Sequence, residues 1–286
     1  MRSGFVAVAG RPNVGKSTLV NAVCGDKVAI TSAVPNTTRR RIFGVANVGD
    51  HQLVLVDLPG FQRPIDALTE RMQETVDSSF DDVDAVLLVV DARERIGTGD
   101  RFVARRVFSL GVPVVIALNK VDRLKPGHVA SQMKVASGLG DFHALHPVSA
   151  KTKEGVGELR SDLVQLLPEG PLYFPLEQSS DQTVEERIAE VVREKALHLT
   201  REEVPHAVTV VVDEVAERAV RALVLVETES QKGILVGKRG SMIREIGTRA
   251  RPEVEAILGH PVFLELVVKV RPKWRRDPKQ LERLGL

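Results

Sequence analysis

Residues Gly10-Arg11-Pro12-Asn13-Val14-Gly15-Lys16-Ser17 follow directly on the apolar run Phe5-Val6-Ala7-Val8-Ala9. Two glycines five positions apart, then Lys-Ser, are the pattern of a loop that wraps phosphate. Glycine accepts positive φ and has no Cβ, so successive backbone N–H groups can turn inward as an anion cavity. A helix starting near Gly15 would set its positive dipole end beneath the phosphates. Lys16 would then reach the β- and γ-phosphates and Ser17 would ligate Mg²⁺, with Thr18 next on the helix.

The base is read elsewhere. Asn119-Lys120-Val121-Asp122 follows a second apolar run, Val114-Val115-Ile116-Ala117-Leu118. A carboxylate accepts two parallel hydrogen bonds, and guanine offers N1–H and an exocyclic amine side by side where adenine offers no such pair. Asp122 therefore selects guanine, since a buried group left unpaired by the wrong base costs about 1–3 kcal/mol. Lys120 lies along the base plane, and Asn119 ties this loop to the phosphate loop. Ser149-Ala150-Lys151, after Pro147-Val148, offers the Ala150 N–H to guanine O6. Asp57-Leu58-Pro59-Gly60 closes the run Leu53-Val54-Leu55-Val56. Asp57 is placed to hold Mg²⁺ through water, and the Gly60 N–H to sense the γ-phosphate. In the loop before it, Thr37-Thr38-Arg39 supplies a hydroxyl to complete the metal shell, assigned to Thr38.

These motifs require strands that end at one edge. Strand patterns lie at 4–9, 41–48, 52–57, 84–91, 112–119 and 145–148, and helical patterns at 16–24, 65–80, 100–110, 127–138 and 155–167. The rhythm predicts an α/β domain over 1–168, a mostly parallel sheet with helices on both faces. The pair 41–48 and 52–57 reads as an antiparallel edge hairpin. At 286 residues, two domains are expected. Pro168-Glu169-Gly170-Pro171-Leu172-Tyr173-Phe174-Pro175 breaks the periodicity, so 169–182 reads as a linker, with Tyr173 and Phe174 packed between the domains.

After the linker the charge turns basic, with twelve Lys and Arg against five Asp and Glu from Lys232 to Lys279. Phosphate is the expected partner there. A helix over 184–200 and strands at 206–215 and 220–229 lead to Gly237-Lys238-Arg239-Gly240-Ser241, preceded by Ile234-Leu235-Val236 and followed by Met242-Ile243. Glycines flanking Lys-Arg let the backbone approach a sugar-phosphate chain. Lys232 and Arg244 add charge beside the loop. Ile234, Val236, Ile243 and Ile246 read as core, and Pro252 as a kink or restart in the second helix. A last strand at 262–270 completes a domain over 183–272. In the tail 273–286, Lys273, Arg275 and Arg276 could hold RNA with Trp274 as a stacking ring, or Trp274 could cap the core.

This set of motifs resembles the translation-factor class of small GTPases and, within it, the Era family, along nearly the whole chain. The resemblance implies a P-loop GTPase domain followed by an α+β type II KH domain. It further implies slow GTP hydrolysis to GDP with Mg²⁺, binding of the 3′ end of 16S rRNA and a role in 30S subunit assembly. Related GTPases with asparagine at position 13 use K⁺ near the phosphates; otherwise Asn13 turns or caps the loop. Hydrolysis would use Lys16, Thr38, Gly60 and Asn13. Many such enzymes carry a water-orienting glutamine after the D-x-x-G glycine, but Phe61 stands here and cannot hydrogen-bond water. Gln62 is expected to contribute little. Two other readings are a non-catalytic GTP-dependent RNA scaffold and a GTPase acting on tRNA or a membrane.

Composition narrows the setting. Aromatic content of 4% argues against a stacking-rich nucleic-acid platform. The one cysteine, Cys24, forms no internal disulfide and fits a reducing cytoplasm. No signal peptide and no 18-residue apolar run are expected, nor is a heptad repeat that would suggest an obligate dimer. Resembling proteins can attach peripherally to the inner face of the membrane, although no residue of this chain supports it.

Overall fold

The computed structural model describes all 286 residues. They divide into two compact units. The first covers Met1–Ala29, Pro35–Pro64 and Thr69–Asp181; the second covers Gln182–Leu286 together with Ile30–Val34 and Ile65–Leu68.

In the first unit β1 (Ser3–Ala9), α1 (Lys16–Cys24), β2 (Ile42–Val48), β3 (His51–Asp57), α2 (Ala67–Ser78), β4 (Ala85–Asp91) and α3 (Thr98–Phe108) come first. Then follow β5 (Val114–Asn119), α4 (Pro126–Ala136), β6 (Ala144–Val148) and α5 (Val156–Leu166). The sheet order is β2-β3-β1-β4-β5-β6. Only the β2–β3 hairpin is antiparallel.

Successive strand residues face opposite sides, so apolar runs such as Val6-Ala7-Val8-Ala9 feed two cores at once. Val6, Val8, Leu53, Leu55, Leu87 and Val89 meet Leu19 and Val23 of α1 and Leu159 and Leu163 of α5. Ala7, Ala9, Val56, Val86, Leu88 and Ile116 meet Val76 of α2, Val103 and Val107 of α3 and Ala136 of α4. β5 begins two residues later than the apolar run suggests, after Pro113, which has no N–H for the ladder. Pro147 is tolerated in β6 because that strand is an edge.

The segment after α5 differs from expectation. Tyr173 and Phe174 lie on the first unit, against Phe5 (ring centroids 4.7 Å apart) and Phe43 (6.1 Å). Gln52 explains the order. It is fully buried, its Oε1 accepts Tyr173 N–H (2.8 Å) and Phe174 N–H (3.0 Å), and its Nε2 donates to Phe174 O (2.9 Å). A buried amide requires partners. Val45 N–H donates to Ser179 O at 2.9 Å, which also covers the open edge of β2.

The second unit runs α6 (Val184–Leu199), α7 (Val204–Ala207), β7 (Thr209–Ala216), β8 (Ala219–Val226), α8 (Glu229–Val236), α9 (Ser241–Leu258), β9 (Phe263–Val270) and α10 (Pro278–Arg283). Its sheet order is β7-β8-β9, with β7–β8 antiparallel and β8–β9 parallel. Thr183 caps α6 in a reciprocal box with Glu186. Helix α9 buries Ile246, Ala250 and Val254, an i, i+4, i+8 stripe. It runs through Pro252 without the restart expected of that residue.

Within this unit the two short segments from earlier in the chain are hydrogen-bonded in place. Glu194 Oε1 accepts the Thr31 N–H (2.9 Å), His198 Nε2 lies 2.9 Å from Thr31 O, and Arg275 Nη2 pairs with Asp66 Oδ2 at 2.6 Å.

Candidate functional site

The phosphate-loop glycines meet specific needs. Gly15 has φ of 99°, and a Cβ there would collide with the Asn119 amide. A Cβ on Gly60 would come within 2.8 Å of Pro12 N, so Gly60 lies against the loop. Lys16 is buried and its Nζ donates to Gly10 O (3.3 Å) and Arg11 O (3.2 Å). Burial lowers its ammonium pKa to about 8, with Asp57 opposing the shift.

Three oxygen-bearing side chains, from the first turn of α1, the loop before β2 and the end of β3, converge beside it. Ser17 Oγ donates to Asp57 Oδ2 at 2.7 Å and lies 2.9 Å from Thr38 Oγ1, which itself donates to Asp57 Oδ2 at 3.3 Å. Thr38, of the two adjacent threonines, therefore reaches the cluster. Asp57 is fully buried, and its Oδ1 has no hydrogen-bond partner. Burial pushes its carboxyl up, against the Ser17 bond, the Lys16 charge and the Thr38 bond. A bare carboxylate oxygen beside two hydroxyls is a hard-oxygen set that fits Mg²⁺.

The base-reading motifs are knitted together. Asn119 Nδ2 donates to Val14 O (3.0 Å), tying this loop to the phosphate loop. Asp122 Oδ1 accepts the Ser149 hydroxyl at 2.8 Å, which fixes the carboxylate. Lys120 has φ of 71° and bridges Asn13 O (2.5 Å) and Asp91 Oδ2 (2.6 Å). Sequence reasoning missed Asp91. Burial opposes its charge, but hydrogen bonds from Arg93 and Lys120 outweigh that and hold its carboxyl below the usual range. The signal was present: Asp91 ends the apolar run 85–90 as Asp57 ends the run 53–56.

In the second unit the loop after α8 is backbone-driven. Gly237 (φ 69°), Arg239 (φ 53°) and Gly240 (φ 75°) are all left-handed. A Cβ on Gly237 would meet Met242 N at 2.8 Å. Lys238, Arg239, Ser241 and Arg244 are exposed, and Lys232 is half-buried near Glu229 (3.9 Å).

Comparison with known proteins decides the family. A model described as 50S ribosome-binding GTPase matches residues 5–120, and a KH-domain model matches 202–275. GTPase Era of Heliobacterium modesticaldum is 42% identical over 290 residues, covering 100% of this chain and 97% of the relative. The chain belongs to the Era family of GTPases. GTPase Era of Mycolicibacterium smegmatis is also 42% identical, over 99% of this chain and 98% of its own length. A crystal structure of Era in complex with MgGDPNP and nucleotides 1506–1542 of 16S ribosomal RNA has TM-score 0.96 at 37% identity, covering 100% of this chain and 99% of that one. A single-residue variant of Aquifex aeolicus Era bound to GDP·AlF4⁻ also has TM-score 0.96, at 36% identity, with 100% and 99% covered.

In this Era-family GTPase the geometry overturns some of the sequence expectations and agrees with others. The Ala150 N–H donates to Asn119 Oδ1 (3.0 Å) instead of standing free for a base, because that oxygen bridges Ala150 and Lys120 N–H groups. Phe61 is buried and stacked on Phe80 (5.9 Å), consistent with no part in positioning water. Arg11 is turned to Asp100 (2.8 Å) and Glu94 (2.7 Å). Trp274 is fully buried and donates Nε1–H to Ala207 O (2.9 Å), so it caps the core and cannot stack on RNA. Arg275 is committed to Asp66, so of Lys273, Arg275 and Arg276 only Lys273 and Arg276 are exposed. Ile246 is core, Val236 and Ile243 are partly buried against it, and Ile234 is 48% exposed beside the clamp, not core. No helix is long and apolar enough to cross a membrane.

Proposed function

We propose that this GTPase binds GTP with Mg²⁺, hydrolyses it slowly, and grips the 3′ end of 16S rRNA through Gly237–Gly240 during 30S subunit assembly. The observation that carries the reading is the meeting of Ser17 and Thr38 hydroxyls on buried Asp57, with Asp57 Oδ1 left unpartnered. Ser17, Thr38 and Asp57 would hold the metal, which when bound neutralises phosphate charge. Gly10 through Thr18 would cradle phosphate, with Lys16 as the cation and Gly60 as the γ-phosphate sensor. Asp122, fixed by Ser149, would select guanine, with Lys120 across the base and the Ala150–Lys151 turn beside it. Leu58 and Pro59 carry the chain from Asp57 to Gly60.

The coupling to RNA follows from chain membership. The loops at 31–41 and 58–65 would order on the γ-phosphate through Thr38 and Gly60. Thr31, at the start of the first loop, and Asp66, next after the second, belong to the second unit and are held there by Glu194, His198 and Arg275. Nucleotide state would thus reach the clamp, and RNA would by reciprocity alter nucleotide affinity. The MgGDPNP and 16S rRNA in the complex of its relative support the same ligands here.

The test is multiple-turnover phosphate release from GTP and ATP, with and without the rRNA 3′ oligonucleotide. GTP-selective, RNA-stimulated turnover is expected; preference for ATP, or equal rates with and without RNA, would overturn the reading. The K⁺ role at Asn13 belongs to the same reading and is rejected by equal turnover in Na⁺ and K⁺.

A further inference from the structure

Helix α3 and the loop before it carry a cationic face that neither the nucleotide site nor the clamp uses. Around it the carboxylates are already committed: Asp91 to Arg93 and Lys120, Glu94 and Asp100 to Arg11, and Asp77 to Arg106. Arg95, Arg101 and Arg105 are exposed and make no ion pair. Their charge is therefore uncompensated. Arg101 and Arg105 stand one turn apart on α3, whose other face buries Val103, Ala104 and Val107.

Phe102, next to Arg101 in the chain and lining the same cleft as Arg105, is 55% exposed. A ring left in water beside guanidinium groups is what a base stacks on, while the guanidinium forks match phosphate. Clefts flank the helix on both sides. One, of about 720 Å³, is lined by Arg63, Phe102 and Arg105. The other, of about 990 Å³, is lined by Arg95, Arg101 and His128.

We propose that this face, Arg95, Arg101, Phe102 and Arg105, is a second RNA-binding surface, contacting phosphates and one unpaired base of ribosomal RNA. The proposal rests on the reading that the chain acts on rRNA, and adds a site on the GTPase unit itself. RNA is favoured over a lipid surface because the helix presents spaced cations on both flanks and a single exposed ring on one of them. A membrane-seeking helix instead shows a continuous apolar stripe, and the stripe of α3 is spent in the core.

Binding of the whole chain to full-length 16S rRNA, as log Kd against log salt, tests this. Arg101→Ala with Arg105→Ala should lower the salt slope by about 1.5 and weaken binding about tenfold. Basal GTP turnover should be unchanged, which controls for folding. The same loss should appear in a Lys238→Glu/Arg239→Glu background, so the two surfaces are read separately. Phe102 replaced by a photoreactive aromatic should crosslink to rRNA. An unchanged slope and affinity in both backgrounds overturns the proposal. So does loss of binding to phosphatidylglycerol vesicles with rRNA affinity intact, which would make the face a lipid contact. If Lys238→Glu/Arg239→Glu leaves 3′ oligonucleotide binding intact, the clamp reading fails, while the slope still decides the α3 face.

Discussion

At the nucleotide site Asp57, Asn119 and Ser149 are buried, and each is hydrogen-bonded to a different motif. At the clamp Lys238, Arg239 and Arg244 are exposed, and only the backbone is constrained, by left-handed φ at Gly237, Arg239 and Gly240. The first region fixes side chains before the ligand arrives, so discrimination comes from groups that the wrong ligand leaves unpaired. The second fixes the path of the chain and leaves its cations exposed, so affinity comes from charge and falls with salt. Selectivity should therefore reside in the buried site and salt sensitivity in the exposed one.

The sharpest way to break this contrast is Lys16→Ala. It removes the one buried cation of the phosphate loop, and GTP affinity measured by titration calorimetry should fall about a hundredfold or more. RNA affinity without nucleotide should stay within about twofold, because exposed charges do not depend on that lysine. A loss of nucleotide-free RNA binding would mean the two regions share structure that the contrast denies.

Lys238→Glu with Arg239→Glu is the reciprocal change. RNA affinity should fall between about tenfold and a hundredfold, with a shallower salt slope, while basal GTP turnover is retained. Filter binding across a salt series checks this, and an unchanged slope would remove the clamp assignment.

Legibility in the sequence followed the same division. The loops around Lys16, Asp57, Asp122 and Ser149 were readable because buried chemistry demands fixed residue types after apolar strands. Asp91 obeyed the same rule and was overlooked because its partner, Lys120, is remote in sequence. The strands of the sheet were placed within about two residues by short continuous apolar runs, a local property. Tertiary burial was not local. Trp274 sits among Lys and Arg, so its neighbours in the chain leave both a stacking ring and a core cap open, and only the remote Ala207 carbonyl that takes its N–H decides for the cap. Tyr173 and Phe174 sit in a Pro-rich stretch and read as linker, yet buried Gln52 needs their backbone. α7 was missed because four residues are too few to show a period.

The buried site should also be the more pH-sensitive of the two. Burial brings the Lys16 pKa to about 8. Below that pH the ammonium is charged whether or not phosphate is bound, so affinity is flat. Above it, binding must take up a proton, and GTP affinity should fall by up to about tenfold per pH unit. Calorimetry at about pH 9 in buffers of different ionisation enthalpy should show that uptake. RNA affinity should not follow the same profile, since Lys16 is no part of the clamp. Equal proton uptake at about pH 7 and pH 9 would contradict the assignment.

The smallest effect is expected at Gln62. It follows Phe61, where a water-orienting glutamine is one position too late, and its Nε2 lies 3.9 Å from Met72 Sδ of α2 instead of facing Lys16 or Thr38. Reorienting it toward a phosphate would mean shifting the segment that Phe61 anchors against Phe80 in the core. Gln62→Ala should thus leave single-turnover GTP hydrolysis within about twofold, because the interaction lost is a weak contact to sulfur and not a hydrogen bond to reacting water. A tenfold slower rate would show that the segment rearranges with nucleotide and that this edge of the site is assembled by the ligand, unlike the prebuilt cluster at Asp57.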